Sequence, residues 1–212
     1  MLAFTLLLVA GLAIVLRTEI VRLLFQYGRF DEAAVAAAAG TLGLFLLGLP
    51  AHGMIAVLAR AFYADQETRI PVIGALIAVG INIIVSVLTV STLGIGGLAL
   101  GIALGAWVEA VFLLLRLSTV LPGLDPAREI RTWLRFAALA AGSAAVGWAV
   151  ATGFAAWLGD PLVAKPVIIG VGLVAGAASG AAYLAAAVFL GQPEPAMIRR
   201  LLLGALRRGR PA

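Results

Sequence analysis

Cysteine is absent from the 212 residues, which excludes disulfides and thiolate metal sites and says little about the compartment. Charge is scarce, at 12% of residues against about 25% in soluble domains. Histidine occurs once, at His52, with neither a second ligand nor a nucleophile beside it, so a metal or catalytic role has little to rest on. No His/Asp/Glu cluster has metal-ligand spacing, no Gly-rich phosphate loop opens a helix, and no serine sits in a nucleophile elbow. The loops are short and leave little scaffold for a site outside the apolar segments. An enzyme is therefore not favoured, and no cofactor or metal is expected.

Apolar residues fill the space that charge vacates. They make up 63% of the chain, and the mean hydropathy is +1.13. A soluble chain of this length would need more polar residues to cover its surface, whereas about 20 apolar residues in a row span a bilayer. Six such segments lie near residues 2–25, 34–58, 70–92, 96–117, 133–158 and 162–191. In lipid every backbone polar group must find an internal partner, which leaves helices or a closed barrel. Continuous apolar runs without period-two alternation favour helices. The expected fold is an all-α polytopic bundle of six transmembrane helices. The first segment is the least regular, because Arg17, Glu19 and Arg22 interrupt it after Leu16. It lacks the basic start and small-residue cleavage site of a signal peptide, and it reads as a helix whose second half reaches the interface. Apolar residues follow Met1 directly, so the chain is expected to begin inside an architecture.

Basic residues orient the segments. Arg60 and Arg69, then Arg116, Arg128, Arg131 and Arg135, then Arg199, Arg200, Arg207, Arg208 and Arg210 fall on one side, eleven in all. Arg17, Arg22, Arg29 and Lys165, four in all, fall on the other. Lysine and arginine accumulate on cytoplasmic loops, so both termini are expected in the cytoplasm. The same spread over loops, without interleaved aromatics, argues against nucleic acid as a partner despite the net charge of +5. The tail over 193–212 reads either as an amphipathic basic stretch lying on anionic lipid or as a disordered one that only fixes topology.

Small residues supply the packing. Gly97, Gly101 and Gly105 repeat at four-residue spacing, as do Gly172, Gly176 and Gly180, and Ser143 with Gly147 adds a shorter pair. Each ladder lets a neighbouring backbone approach closely, and none distinguishes a channel from a transporter or an enzyme. At the turns, Pro71 suits the first turn of a helix with Thr68 as a nearby cap, and Asp125 caps a helix whose first residue is Pro126.

Polar residues within the spans are the candidates for function. Glu109 extends the ladder from Gly105 by one step, so it points near the packed face. A charge at the bilayer centre costs about 2.5–3.5 kcal/mol, so this carboxylate needs a partner, a wet cavity or a proton. It reads as a cavity-lining or proton-coupling group, or as a protonated packing residue. Asn82, Ser86 and Thr89 form a polar stripe at i, i+4 and i+7, either lining a path or hydrogen-bonding between helices. Arg60, at the cytoplasmic mouth of the second segment, completes a candidate substrate path of Glu109, Asn82, Ser86 and Arg60.

Several stretches in order, "LLFQYGRFD" (23–31), "GLP" (48–50), "ARAFYADQETRIPV" (59–72), Asn82 and "GIGGLALGIALGAWVEA" (94–110), resemble the MurJ (MviN) family of lipid II flippases. That family belongs to the multidrug/oligosaccharidyl-lipid/polysaccharide exporter superfamily. The likeness is carried by about residues 20–117. The resemblance implies two six-helix lobes around a cavity and a C-terminal pair forming a groove for a lipid tail. On that plan residues 1–120 are the last four helices of the second lobe, 121–192 the C-terminal pair, and 193–212 the cytoplasmic tail. It implies an undecaprenyl-linked peptidoglycan precursor moved by alternating access across the cytoplasmic membrane, with membrane lipids as partners. The upstream helices would come in cis or from a partner chain, and the 212 residues are expected to be the C-terminal part of a flippase. The family's cavity arginines lie upstream of Met1. Ala56 stands where members often have lysine, and Glu109 where asparagine is common.

Overall fold

In a computed structural model, residues 1–26, 28, 30–121, 123–158 and 165–192 are described. Seven helices account for most of them: α1 (Leu2–Val15), α2 (Arg17–Phe25), α3 (Glu32–Ala64), α4 (Arg69–Leu93), α5 (Ile95–Val120), α6 (Pro126–Leu158) and α7 (Lys165–Phe189). The tail over 193–212 lies outside the described residues.

Five helices, α3 to α7, are long and apolar enough to cross a membrane. The 25 residues of α4 extend about 38 Å at 1.5 Å per residue, more than the roughly 30 Å of hydrocarbon. The first apolar segment departs from a single helix, since α1 and α2 meet at a bend of 62°. Only if that pair counts as one span does the number reach six. The bend falls where the charges begin. Arg17 turns back and donates from Nη1 to the Ile14 carbonyl at 2.7 Å, which places a cation on the open carbonyl end of α1.

The helix ends follow local chemistry. Asp31 accepts from the Ala34 N–H at 2.8 Å and caps α3, while Glu32 takes bonds from Arg22 (2.8 Å) and Gln26 (2.7 Å) and ties α2 to it. Asp125 accepts from the Ala127 and Arg128 N–H groups, and Pro126 opens α6, as expected from the sequence. Thr68 is a correction. It precedes α4 but makes no capping bond with its side chain, because its backbone is already helical (φ −98°, ψ −17°). A capping side chain normally hangs from an extended residue. Glu67 Oε1 accepts from the Arg69 N–H at 2.8 Å instead.

Packing runs α4 on α5, α5 on α3, α3 on α1, and α1 on the α6–α7 pair. The α3–α5 crossing is tight at Gly48, where a Cβ would stand 2.9 Å from the Ala103 Cα. One apolar cluster joins Met54, Leu58 and Phe62 of α3 to Leu113, Leu114 and Leu117 of α5. A second gathers Phe4, Leu7, Phe136 and Tyr183, with the Phe4 and Phe136 rings edge to face at 5.6 Å. The Tyr183 hydroxyl donates to the Phe4 carbonyl at 3.1 Å and pins α7 to α1. The glycine ladder of α7 behaves differently from its expected role. Gly172, Gly176 and Gly180 receive side chains of Leu12, Leu16 and Glu19, at 3.3–4.0 Å from a notional Cβ, rather than a close backbone.

Candidate functional site

The α4–α5 seam brings together Asn82, Ser86, Thr89 and Glu109. Gly94, at φ 55°, reverses the chain between the two helices and sets them antiparallel. Gly97 lies against Thr89, Gly101 against Asn82 and Ser86, and Gly105 against the Ala78 carbonyl. A Cβ on Gly101 would meet Asn82 Oδ1 and Ser86 Oγ at 2.6 Å, and one on Gly105 would meet the Ala78 oxygen at 2.6 Å. The ladder read from the sequence is thus the surface on which the α4 polar stripe rests. Within the stripe, Ser86 donates to Asn82 Oδ1 at 3.0 Å and Thr89 to the Val85 carbonyl at 2.7 Å. Asn82 and Ser86 are half-buried between the helices.

Glu109 lies two turns further along the same seam. Its Cγ lies 3.4 Å from the position of a Cβ on Gly74, and Phe112 closes the other side at 3.2 Å. The carboxylate is half-buried and makes no hydrogen bond or ion pair among the described residues. Arg60 lies apart. The α3 helix continues to Ala64, so Arg60 is exposed on its last turns rather than in the turn, and no bond joins it to the other three candidates. The structure therefore brings Glu109, Asn82 and Ser86 to one seam and leaves Arg60 outside it. His52 is exposed on α3, and no group of three His, Cys, Asp or Glu residues suited to a metal occurs among the described residues.

Trp107 is a feature that sequence reasoning missed. Pro50 has no N–H, so the helical bond to the Leu46 carbonyl is missing within α3. Trp107 Nε1 of α5 donates to the next carbonyl, Leu47 O, at 3.0 Å. Its ring meets Trp133 of α6 edge to face at 6.2 Å. One side chain thus links the α3 proline to the pair of helices that follows. The proline within the span frees the Leu46 carbonyl, but nothing in the sequence points to Leu47 O as the acceptor.

Two apolar hollows flank this framework. One of about 480 Å³ lies among α1, α3, α5 and α6, lined by Leu7, Ile14, Leu47, Pro50, Leu104 and Trp107 among others. One of about 860 Å³ lies against α3 and the α4–α5 turn, with Phe25, Phe30, Phe45 and Ile95 on its walls. Their linings suit hydrocarbon and offer nothing to hold a charged head group.

The fold and its seam define a polytopic, α-helical, multi-pass membrane protein held together by small-residue contacts. The family model described as "Lipid II flippase MurJ" matches residues 1–165. The chain belongs to that family. A probable lipid II flippase MurJ of Rhizobium tropici is 31% identical over 207 residues, 93% of this chain and 36% of that protein. The corresponding protein of Rhizobium meliloti is 31% identical over 196 residues, 90% of this chain and 36% of its own length. A solved lipid II flippase MurJ in an inward closed conformation matches the fold with a TM-score of 0.63 at 21% identity, over 88% of this chain and 36% of that one. The chain thus spans about a third of the length of the relatives it matches.

Proposed function

We propose that this chain is the C-terminal part of a flippase that carries lipid II, the undecaprenyl-linked peptidoglycan precursor, across the bacterial cytoplasmic membrane. The observation that carries the reading is the family match over residues 1–165, together with relatives of that name along nine-tenths of the chain. In this reading α1 and α2 form one broken span, which gives six crossings with both ends in the cytoplasm, the orientation that the arginine distribution favours. Residues 1–120 form the last four helices of a lobe, 121–192 the pair beside the lipid tail, and 193–212 a basic cytoplasmic tail. The hollow bordered by Trp107 and Pro50 lies between those two parts and is lined for hydrocarbon. Alternating access requires a lobe with a firm core, and the close α3–α5 contact at Gly48 with the apolar cluster beside it supports one. Asn82, Ser86 and Glu109 would then border the moving surface from within the lobe, and Arg60 its cytoplasmic rim.

The test joins the chain in frame to the upstream two-thirds of the Rhizobium tropici relative and expresses the chimera in cells depleted of their own flippase. Restored growth, with lipid II reaching the outer leaflet, is the expected result. A chimera that inserts stably but restores neither, while the intact relative restores both, refutes the reading. Transport of a different polyprenyl-linked glycan would move the substrate elsewhere in the superfamily.

A further inference from the structure

Glu109 occupies a position for which the rest of the molecule makes no electrostatic provision. Along α5 it is about 21 Å from Ile95 and about 16 Å from Val120, well inside a span of this length. Across the seam it faces Gly74, a buried residue with no side chain, whose notch on α4 receives the Glu109 stem. The walls of the notch are Phe112 and Leu113. The charged groups on neighbouring elements are few. On α4 it is Arg69, five residues before Gly74 at the helix start, and on α5 it is Arg116, two turns on; both are exposed. On α3 they are Glu32 at its start and Arg60, with His52 between them, all exposed; Asp65 and Glu67 lie in the turn to α4, and α6 touches α5 by way of Trp133, with Arg128, Glu129, Arg131 and Arg135 near it in sequence. None of these makes an ion pair or hydrogen bond with Glu109 among the described residues.

The notch holds the Glu109 stem, so an ionised carboxylate at its end would stand beside Phe112 and Leu113 at mid-span, with helix backbones whose N–H groups are already used. A proton removes the charge at once, at far lower cost than leaving it unpaired in hydrocarbon. We propose that Glu109 and the Gly74 notch form a proton-binding site in the α4–α5 seam. The carboxyl group carries its proton while α4 lies over it and releases it only when the seam opens to water. By linkage, whatever favours the protonated form favours the closed seam, and whatever opens the seam releases a proton. The site thereby couples protonation to the separation of two helices that otherwise meet through glycine. It needs no particular cargo, and it stands or falls separately from the lipid II reading.

The test uses the whole chain in lipid nanodiscs and dicyclohexylcarbodiimide, an apolar reagent that attacks protonated carboxyl groups within membranes. The acid adds across the carbodiimide and rearranges to a stable N-acylurea that retains every atom of both reactants, so mass spectrometry of the peptide locates it. The expected result is an adduct on Glu109, absent from Glu109→Gln, whose rate of formation falls about tenfold per pH unit above the titration point. A Gly74→Val variant wedges the seam apart. It should shift Glu109 from the apolar reagent towards a water-soluble carbodiimide. Three results overturn the proposal: no adduct at any pH in protein with intact helical circular dichroism, a rate independent of pH, or labelling that appears only after Arg69→Gln or Arg116→Gln removes a partner. The site of the adduct and its pH dependence are read on unmodified protein, so a variant that fails to fold leaves that experiment decisive.

Discussion

Adding one methyl group at Gly105 should separate α4 from α5. The notional Cβ stands 2.6 Å from the Ala78 carbonyl oxygen and 3.3 Å from its carbon. Both are backbone atoms, so no side chain can rotate away. To restore a contact of about 3.2 Å or more, α4 must shift by more than half an ångström along much of its length, because a helix moves as a rod. That motion also opens the Gly101 contacts with Asn82 and Ser86, one turn away. Overpacking of this kind costs about 1–3 kcal/mol. The control is Gly80→Ala on α4, where nothing lies within 4 Å of the new methyl group and helix propensity should raise stability by about 0.5–1 kcal/mol. Equilibrium unfolding of both variants in the same mixed micelles measures the difference, expected to be about 1.5–4 kcal/mol in favour of Gly80→Ala. If Gly105→Ala proves as stable as Gly80→Ala, the seam is not the close backbone contact described here, and the ladder has no structural role.

Trp107→Phe keeps an aromatic ring against Trp133 but removes the donor to Leu47 O. It should cost about 0.5–2 kcal/mol in the same unfolding assay, and hydrogen exchange should speed up in the α3 turn around Pro50. The loss should persist in a Pro50→Ala background, because the restored N–H serves Leu46 O and not Leu47 O. Asp125→Ala removes the acceptor for two N–H groups at the start of α6 and should cost about 0.5–2 kcal/mol, while Asp125→Asn should recover most of it.

Composition and run length made the helical architecture legible, because lipid leaves the backbone few alternatives. The apolar segments correspond to α3–α7 and the broken α1–α2 pair, and the α4–α5 seam followed from glycine spacing and the stripe of Asn82, Ser86 and Thr89. Caps were readable where one side chain decides them, as at Asp125. Thr68 misled because its backbone is already helical, and Pro71, three residues on, has no N–H to offer its side chain. The break after Leu16 had a signal in the charges of Arg17, Glu19 and Arg22, but its angle depends on how α2 settles against α3 and α7. Periodicity overstated the α7 ladder, since a glycine row can admit leucine side chains as readily as a backbone. Sequence spacing gave no account of Trp107, whose acceptor lies sixty residues away on another helix. Of the candidate residues, Asn82 and Ser86 meet the helix of Glu109 along one seam because helical period places them there, and Arg60 lies apart on the last turns of α3.

The absence of cysteine makes the decisive measurement clean, since every introduced thiol is the only one. Single cysteines replace Ala33 and Thr92 at one end of the bundle and Asp65 and Thr119 at the other, all exposed positions. Intact cells are then treated with a membrane-impermeant maleimide. The account predicts labelling at 33 and 92 from outside, and at 65 and 119 only after the membrane is breached. Labelling of 65 or 119 in intact cells would contradict the threading, and the placement of this chain at the C-terminal end of a flippase would go with it.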